Sequence, residues 1–547
     1  MASETTDCSP TEAVKYISEL RDFVIRGSTS VEWRVGQLKL LREVLQEEKE
    51  AMCLALSIDL CVDEAQALLF QIGCLFGEID HCLDNIAEWS AMKRVNTPMV
   101  LQPASSYVQA QPKGVVLIIG AWNYPFVVTF GPMLTALAAG NAVIVKPSEL
   151  SPHAAQVMHR ICSRLDQRAV RCCLGGVELS TTLVSQPLDH IVYTGSTRVG
   201  RLIMAAAAPN LTPVTLELGG KSPVVICGGI NINEACRRIA VGKFVNCGQT
   251  CIAPDYILVE RGVRDEVVAE LKKVTTDMFG DSSQAPEKLS RMVNQQAAER
   301  LQKALREPHG GHVALGGASA PPGTIKEGQR YVQPTIVVDP KNDSLLMQDE
   351  LFGPVLPILS VASCDEAITY INSRPKPLAL YVFAPPPVVD HVMQSTSSGA
   401  ILVGDTAMHK GNPHVPFGGI GGSGMGSCYG EFGFNELSHQ RAVMYRPLFP
   451  PSPITLPADS ALSKILWSYV TMNRTQAKWL KRAGALLLAV LFMLVTRKLR
   501  QRLFRVGPGL NVEIDFEDTL KSNASMASDS PSNRRTQPAG IEIVVWS

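Results

Sequence analysis

The amino-acid sequence has no surplus of charge, no cysteine pattern for a metal and no segment near residue 1 that is typical of a secretory signal. Lys plus Arg and Asp plus Glu each number 51 among 547 residues, so nucleic acid is not expected as a partner. The opening MASETTDCSPTEAVKY lacks a basic stretch followed by an apolar core, which argues against a secretory signal. The 14 cysteines include no pair of CxxC units, so no metal site is predicted and most thiols are expected to be reduced in the cytosol.

The chain does have length and a regular alternation of apolar runs. Its 547 residues and 46% hydrophobic share predict a globular protein with two or three domains. Apolar residues at helical spacing, such as Leu38, Leu41 and Leu45, predict helices over residues 11–95. Runs expected to form buried strands then alternate with helix-like stretches, and these runs are 114–120, 142–146, 190–196, 223–227 and 255–260. This alternation predicts parallel, doubly wound sheets.

The alternation begins anew after Gly219-Gly220, which predicts a second α/β domain over residues 219–410. The expected fold class is therefore α/β, with a Rossmann-like domain followed by a second domain of the same class. Two sheets that meet at one boundary leave a cleft suited to a cofactor and a substrate.

The C-terminal hundred residues differ from the rest. A proline-rich linker and an amphipathic stretch over 448–482 precede the uncharged run AGALLLAVLFMLVT at 483–496. Its 14 residues would extend about 21 Å as a helix, whereas a simple membrane span needs about 20 residues. Basic residues on both sides favour a membrane-associating helix, either crossing the bilayer or lying in its interface, over a buried core helix. Residues 497–547 are expected to form a basic and then disordered tail.

Two segments contain side chains that are candidates for nucleophilic attack or for proton transfer. In FVNCGQTC (244–251), Cys251 follows a turn-like string, and a thiolate attacks carbonyls well where its surroundings lower its pKa. The same string also fits a structural turn. In LELGGKSP (216–223), Glu217 lies between apolar residues, a setting that raises a carboxyl pKa and suits a base near neutrality. A cation across the domain boundary would instead make Glu217 a structural residue.

Two further segments follow predicted strands and so lie where open α/β sheets bind ligands. GAWNYP (120–125) carries Asn123, whose amide could stabilise an oxyanion, although asparagine is also common in ordinary turns. TGSTRVG (194–200) is a glycine turn between a strand and a helix, which can present backbone N–H groups to a phosphate. A glycine pattern alone is weak evidence for that role.

Together these four segments resemble the aldehyde dehydrogenase superfamily, and the resemblance covers about residues 10–447. Further matching segments are KPSE at 146–149, DELFGP at 349–354 and PFGGIGGSGMG at 416–426. The forms CGQTCIAPDY and SHQR are similar to the class 3 branch. With its hydrophobic tail, the chain most resembles the membrane-associated fatty aldehyde dehydrogenases of that branch.

The resemblance implies a role for each matching residue. Cys251 is the implied nucleophile, Glu217 the general base, and Asn123 the oxyanion donor together with the backbone N–H of Cys251. The implied cofactor is NAD, with NADP as the alternative. Lys146 and Glu149 would contact the adenosine ribose, the glycine turn the pyrophosphate, and the DELFGP segment the nicotinamide ribose and ring. The implied cofactor contacts are Lys146, Glu149, Gly195, Ser196, Thr197, Arg198, Val199, Gly200, Glu350 and Phe352.

The resemblance also divides the chain and suggests partners. The implied segments are N-terminal helices and an NAD(P)-binding domain (1–218) with a small oligomerisation element near 85–110, a catalytic domain (219–410) and a return segment (411–447). A homodimer is implied, and the tail favours medium- to long-chain, lipid-derived aldehydes and contact with membrane lipid. The expected location is the cytosolic face of an intracellular membrane, the endoplasmic reticulum.

Three alternatives remain open at this point. The acyl intermediate could pass to a thiol or a phosphate instead of water, although Glu217 favours hydrolysis. The chain could be a membrane-tethered binding protein that kept the fold, although intact Cys251, Glu217 and Asn123 oppose this. Cys247 could be a packed residue or a redox partner of Cys251.

Overall fold

The computed structural model describes residues 7–98, 101–280, 289–318, 330–448 and 464 of the chain. Contacts within the chain group the residues up to Arg446 into one compact unit and those from Pro447 onward into a second. The predicted membrane segment at 483–496, the tail at 497–547 and nearly all of the linker at 448–482 lie outside the described residues. Within the described part, no helix is long and apolar enough to cross a bilayer.

The N-terminal region is helical up to Ser90, as its apolar spacing predicted, whereas Lys93–Val95, at the end of the predicted helical region, form a short strand. Its helices are α1 (Pro10–Ile25), α2 (Val31–Glu47), α3 (Lys49–Leu60), α4 (Glu64–Ala67) and α5 (Gly73–Ser90), with a π-helical turn at Leu68–Ile72 between the last two. Side chains begin three of them: Ser9, Ser30 and Asp63 each accept the backbone N–H of the third residue along. Such caps satisfy N–H groups that have no partner inside the helix.

The remaining described residues form strands and helices in alternation. The strands are β1 (Lys93–Val95), β2 (Ser105–Pro112), β3 (Val115–Ile119), β4 (Ala142–Lys146), β5 (Val170–Cys172), β6 (His190–Thr194), β7 (Val214–Glu217), β8 (Pro223–Ile226), β9 (Tyr256–Glu260), β10 (His312–Leu315), β11 (Thr335–Val338), β12 (Val355–Val361), β13 (Ala379–Phe383), β14 (Ala400–Val403), β15 (Gly424–Met425) and β16 (Ser438–Tyr445). The helices are α6 (Pro125–Ala138), α7 (Pro152–Ser163), α8 (Val177–Val184), α9 (Thr197–Ala207), α10 (Ile232–Phe244), α11 (Arg264–Phe279), α12 (Gln295–Arg306), α13 (Leu345–Gln348), α14 (Cys364–Asn372), α15 (Pro386–Ser395) and α16 (Gly430–Glu436).

The first large sheet has the order β15-β7-β6-β3-β4-β5 among the described residues. Its strands are parallel except for β15, which runs antiparallel to β7 and pairs Gly424 with Glu217. The chain winds outward from β3 in both directions, first through β4 and β5 and then through β6 and β7. The strand order therefore reverses between β3 and β6, and a crevice opens at the carboxyl ends of these two strands.

The second large sheet has the order β10-β11-β12-β9-β8-β13-β14 and is parallel apart from β10. A smaller antiparallel sheet, β1-β2-β16, joins a strand near residue 95 to the last strand before the tail. Every residue of β3, β4, β8 and β13 is buried, which explains why these strands are continuous apolar runs. The α/β fold class is confirmed.

The predicted strands all occur, with ends that differ by at most two residues. The strand expected at 142–146 is β4 itself, and the one expected at 190–196 ends at Thr194 because the glycine turn begins there. Strands β7 and β15 are among the strands that were not predicted. They carry a polar or glycine residue at their ends and are only four and two residues long, so their sequences have little apolar periodicity.

Candidate active site

The crevice between β3 and β6 is bordered by two of the segments singled out in the sequence. The segment after β3 is Gly120–Asn123, and the segment after β6 is Gly195-Ser196. A Cβ atom at Gly120 would lie 1.8 Å from the Thr129 hydroxyl oxygen, so only glycine allows α6 to approach the strand end this closely. The third segment, Lys146 to Glu149, begins at the end of β4, the other neighbour of β3.

The glycine turn after β6 leads directly into α9. Ser196 caps this helix by accepting the Val199 N–H at 3.4 Å, and the Gly195 N–H donates to the Glu217 carbonyl at 3.0 Å. A Cβ atom at Gly200 would lie 2.8 Å from Leu218, so this glycine lets the helix pack against the end of β7. Thr197 and Val199 are half-buried, whereas Arg198 is exposed.

The two charged residues at the end of β4 are paired with each other. The Lys146 ammonium is buried and lies 2.6 Å from the Glu149 carboxylate, which is partly exposed. Burial alone would raise the pKa of Glu149, but the hydrogen bond and charge of Lys146 outweigh it, and the pKa lies below its ordinary value. Glu149 therefore presents a carboxylate at the rim of the crevice.

Cys251 lies in a loop whose backbone is unusual. After α10 ends at Phe244, the residues Asn246, Cys247 and Gly248 all have left-handed φ angles of 51°, 56° and 71°. A Cβ atom at Gly248 would lie 2.4 Å from the Gly353 carbonyl oxygen, so this position requires glycine for space as well as for its angle. We call residues 246–251 the nucleophile loop.

A buried carboxamide holds the nucleophile loop in place. The Gln249 side chain donates to the carbonyls of Asn246 at 3.1 Å and Arg291 at 3.0 Å, and it accepts the Val293 N–H at 2.8 Å. Gln249 is fully buried, so these bonds are not exchanged for bonds to water. They offset the strain of the left-handed residues and tie the loop to the segment before α12.

Asn123 connects the first sheet to this loop. Its amide donates to the Gln249 carbonyl at 3.0 Å, and the Asn246 amide donates to the Asn123 carbonyl at 2.8 Å. A primary amide carries two N–H groups, so Asn123 retains a second donor for another acceptor. The neighbouring Tyr124 hydroxyl lies 2.8 Å from the Thr250 hydroxyl, which fixes the residue before Cys251. The structure therefore brings Asn123 and the nucleophile loop together.

The Cys251 thiol is in an environment that opposes its ionisation. Burial, followed by the charges of Glu350 and Glu217, raises the pKa of Cys251 to about 12, and nearby backbone N–H groups only partly counter this. The hypothesis that Cys251 is a nucleophile required surroundings that lower the pKa of its thiol, whereas the surroundings in the structure raise it. The physical reason is that two carboxyl groups share the pocket with the sulfur.

Glu217, the last residue of β7, is 5% exposed. Within the described residues, neither of its carboxylate oxygens meets a donor in hydrogen-bond geometry. Burial raises the pKa of Glu217 to about 8, while the adjacent Cys428 thiol and the charge of Lys410 lower it to a smaller extent. The raised pKa agrees with the apolar setting read from the sequence. Lys410 acts on this carboxyl through charge without forming an ion pair that would hold it.

Glu350 and Phe352 lie on the segment that enters β12. A Cβ atom at Gly219 would be 1.9 Å from the Glu350 carboxylate, so the absence of a side chain at Gly219 provides the space that Glu350 fills. Burial and the nearby Asp255 raise the pKa of Glu350 to about 8. Phe352 has a left-handed φ of 47°, and its ring meets Trp122 edge-on at 5.4 Å.

Several residues that sequence reasoning missed support the site. Gln249, Asn246 and Thr250 lie inside the quoted string FVNCGQTC, but their spacing does not show which of them bind backbone groups. Asp255 accepts Lys221 at 2.5 Å and the Leu351 N–H at 3.1 Å, and so connects the two segments around Glu350. Lys243 on α10 is fully buried 3.8 Å from Asp255, and burial lowers its pKa to about 8.

The packing of Cys247 distinguishes between the two roles that its sequence position allowed. Cys247 is fully buried, and its thiol faces the Met292 sulfur at 3.8 Å, which fits the packed role better than the redox role. Among the residues that the structure describes, no group of His, Cys, Asp and Glu is arranged to hold a metal ion.

Comparison with known proteins matches this geometry to one family. The sequence profile described as "Aldehyde dehydrogenase family" matches residues 15–443. Aldehyde dehydrogenase family 3 member A2 of Mus musculus is 43% identical over 445 residues, which cover 81% of this chain and 90% of that protein. The chain belongs to the aldehyde dehydrogenase family.

Two further relatives define what this aldehyde dehydrogenase resembles. The mouse protein named "Aldehyde dehydrogenase, dimeric NADP-preferring" is 40% identical over 453 residues, covering 81% of this chain and 98% of that protein. A substrate-bound structure of Staphylococcus aureus AldH is 37% identical with a TM-score of 0.79, covering 84% of this chain and 99% of that one. This chain is an NAD(P)-dependent enzyme that oxidises aldehydes to acids.

The described residues fit such a dinucleotide. The crevice lies where the strand order reverses, the usual place for a dinucleotide in an open α/β sheet, and α9 begins there with its N–H groups. The close approach of α9 at Gly200 leaves backbone N–H groups for the phosphate groups. The buried Lys146 leaves a charged group for the ribose. Glu350 packs against Gly219 and lies close to Cys251, where its carboxylate could accept hydrogen bonds from a ribose.

We expect Gln249→Leu to lower both stability and turnover. The substitution leaves the buried Val293 N–H without its acceptor, which costs about 1–3 kcal/mol, and frees the nucleophile loop. A displacement of Cys251 by about 1 Å would lower kcat roughly a hundredfold. Denaturant unfolding and steady-state rates measure the two effects. The matched variant Gln295→Leu removes an exposed bond to Glu299 and should leave both values nearly unchanged; equal behaviour of the two variants would contradict the role of Gln249.

Proposed function

We propose that this enzyme oxidises medium- to long-chain, lipid-derived aldehydes through a covalent intermediate on Cys251. One observation carries the proposed chemistry. The Asn123 amide is bound to the nucleophile loop, and the carboxyl of Glu217 is near enough to raise the pKa of the Cys251 thiol. A nucleophile, an amide donor and a carboxyl of raised pKa thus meet at one end of the crevice, which is the set that acyl transfer through a thioester needs.

In the first half of the proposed reaction, the Cys251 thiolate attacks the aldehyde carbon. A C–S bond forms, and the carbonyl oxygen becomes an oxyanion that accepts hydrogen bonds from the second N–H of Asn123 and from the Cys251 backbone. One such donor contributes about 3–4 kcal/mol to the transition state. Bound NAD(P)+ supplies the redox chemistry by accepting the hydride that leaves this carbon. Cys251 then holds the acyl group as a thioester.

In the second half, Glu217 takes a proton from water. The resulting hydroxide adds to the thioester carbon, the C–S bond breaks, and the acid leaves with Cys251 restored as a thiolate. A carboxyl with a pKa of about 8 is a stronger base than an ordinary one, because its conjugate acid holds the proton more firmly. Apart from the adjacent Cys428 thiol, no protein donor among the described residues faces its buried oxygens, so a water molecule that enters the pocket could donate to them.

The resting thiol requires activation, because a pKa of about 12 leaves almost no thiolate at neutral pH. Protonation or displacement of the two carboxyls that face it would remove the largest charge effects. We propose that Glu350 turns from the Gly219-Gly220 pair toward the nicotinamide ribose, while Phe352 borders the ring. This movement takes a negative charge away from the sulfur.

The remaining cofactor contacts are proposed by matching motif. Residues 195–200, which are Gly195, Ser196, Thr197, Arg198, Val199 and Gly200, would hold the pyrophosphate, and Lys146 with Glu149 the adenosine ribose. The carboxylate of Glu149 favours NAD, because it repels a 2′-phosphate, whereas Lys146 would attract one. The name of the mouse relative, NADP-preferring, supports the second cofactor as an alternative.

The proposed substrate class rests on the tail and on the similarity to family 3 relatives. An apolar run at 483–496 between basic clusters would place the enzyme on the cytosolic face of an intracellular membrane, the endoplasmic reticulum, where lipid-derived aldehydes concentrate. The proposed domains are a cofactor domain (1–218) and a catalytic domain (219–410), with residues 411–447 returning to the first. A homodimer is proposed because a relative is named dimeric.

We expect Cys251→Ala to lose activity by at least about a thousandfold while binding of reduced cofactor persists. The aldehyde carbon has no nucleophile in this variant, but the cofactor crevice is untouched. Fluorescence titration with NADH and NADPH and a rate assay measure the two properties. The control Cys236→Ala removes another buried thiol, one on α10 that faces the Val267 carbonyl, and should stay active. Normal turnover by Cys251→Ala would disprove the covalent mechanism.

For Glu217→Gln we expect a burst of reduced cofactor followed by turnover slowed about 10²–10⁴-fold, because only water activation is lost. In the unchanged enzyme the base must be ionised, so the deacylation rate should rise with pH and level off above a pKa of about 8. Rapid-mixing kinetics across this pH range measure both. The control Glu431→Gln alters a half-exposed carboxylate paired with Lys93. A pH-independent deacylation step would argue for another base.

A chain-length series should show kcat/KM rising with each methylene until the substrate site is full. Burial of one CH2 contributes about 0.8 kcal/mol, or roughly fourfold. Saturated aldehydes are assayed with NAD and with NADP, using the full chain and a variant that lacks residues 448–547. Preference for short aldehydes, unchanged by that deletion, would refute the lipid-aldehyde proposal. Product analysis in the same assays separates hydrolysis from transfer to a thiol or a phosphate.

A further inference from the structure

Two cysteines far apart in sequence meet at the edge of the first large sheet. Cys8 lies just before α1, and Cys173 follows directly after β5, the edge strand. The Cys8 N–H donates to the Leu174 carbonyl at 2.9 Å, so the two chain segments run side by side. Neither residue has a role in the proposed reaction.

This main-chain hydrogen bond, to the residue next to Cys173, brings the two segments within reach of each other. Disulfides join Cα atoms about 4.4–6.8 Å apart, a range that hydrogen-bonded neighbouring segments provide. Cys173 belongs to the apolar cluster beneath α1 and Cys8 packs against that cluster, and each thiol is the largest influence on the pKa of the other, so the side chains as well as the backbones are neighbours. In the reduced form the Cys8 thiol also faces the Ser9 carbonyl at 3.6 Å.

The two thiols differ in accessibility and charge. Cys8 is half-buried, and its pKa is lowered because the Cys173 thiol donates to its ionised form, against the opposing effects of burial, Glu12 and Asp7. Cys173 is fully buried, and this same hydrogen bond and its burial raise its pKa. The pair therefore has one reachable thiol whose pKa is lowered and one shielded thiol whose pKa is raised, which is the arrangement of an attacking and a resolving cysteine.

The adjacent Cys172 is oriented away from this pair. It packs against the apolar cluster that contains Cys162, whereas Cys173 belongs to the cluster beneath α1. Successive residues of an extended chain point to opposite faces, so only Cys173 faces Cys8. Cys172 is thus a natural internal control.

We propose that Cys8 and Cys173 form a reversible disulfide in response to peroxide, and that this disulfide links the start of α1 to the edge of the first large sheet. The Cys8 thiolate attacks one oxygen of hydrogen peroxide, an S–O bond forms, the O–O bond breaks, and hydroxide leaves. The Cys173 thiol then attacks the Cys8 sulfur, its proton passes to the departing oxygen, the S–O bond breaks, and water leaves. Both sulfurs are oxidised, peroxide is reduced to two waters, and a thiol reductant reverses the reaction.

The disulfide acts on a helix that supports the cofactor crevice. Helix α1 packs against α8, β3 and β4, and β3 leads into the Gly120–Asn123 segment. A covalent link at Cys8 would hold this helix to β5 even where its own packing opens. The expected effect is a stiffer, more protease-resistant N-terminal region, with the catalytic cysteine not involved.

The test uses the full chain, reduced, desalted and treated with graded hydrogen peroxide. Trypsin cleaves after Lys15 and after Arg171 and Arg198, so a disulfide joins residues 1–15 to residues 172–198 in a non-reducing digest. Mass spectrometry should find this linked peptide, lighter by two hydrogen atoms than its parts and absent after treatment with a thiol. Cys8 should react at least about tenfold faster than Cys364, whose pKa is raised.

Matched variants identify the partner. Cys172→Ser should retain the linked peptide, whereas Cys8→Ser and Cys173→Ser should lose it and lose the oxidation-dependent rise in melting temperature. Activity is not the readout, because any oxidation of Cys251 lowers it in every variant. A link that persists in Cys173→Ser, or no link at peroxide levels that oxidise Cys364, would overturn the proposal.

Discussion

The site depends on one set of buried amide hydrogen bonds. Asn123 comes from the first sheet, Asn246 and Gln249 from the loop after α10, and their amides bind one another's backbone carbonyls at 2.8–3.1 Å. Buried amides cannot exchange these bonds for water, so breaking any of them leaves an unsatisfied group. This network compensates for three successive left-handed residues and fixes Cys251 relative to the crevice. Without this network, Asn123 at the first sheet and Cys251 in the loop after α10 would not be held next to each other.

The charge balance of the site is the second constraint. Burial raises the pKa of both Glu217 and Glu350 to about 8, and both oppose ionisation of Cys251. The same carboxyls that suit later steps of the proposed reaction therefore oppose ionisation of Cys251, the candidate nucleophile. A thiol that stays protonated until a ligand rearranges its neighbours is less open to oxidation and stray alkylation than a free thiolate. Positively charged Lys243 lies buried behind the loop, near Asp255, and partly balances the acidic residues.

The apolar runs in the sequence were enough to place the main strands. Strands β3, β4 and β8 are buried on both faces, so Val, Ile and Leu fill their central positions without interruption. Strand β15 could not be found in this way, because two residues at Gly424 make a strand only by pairing with β7. The residues Cys251, Glu217 and Asn123 were identified because each stands in a specific motif, whereas the supporting role of Gln249 appears only once its three partners are in place.

The sequence by itself determined the α/β class, the family resemblance and the identity of the candidate nucleophile, amide donor and base. These depend on residue type and on local spacing, which a linear chain displays directly. Tertiary structure decided the ionisation of the site, because a pKa depends on burial and on charges that come from β7, the loop after α10 and the segment before β12. It also decided that Cys173 faces Cys8 while Cys172 does not. Contacts between residues far apart in the chain have no signature in spacing, since only the folded backbone sets their distance.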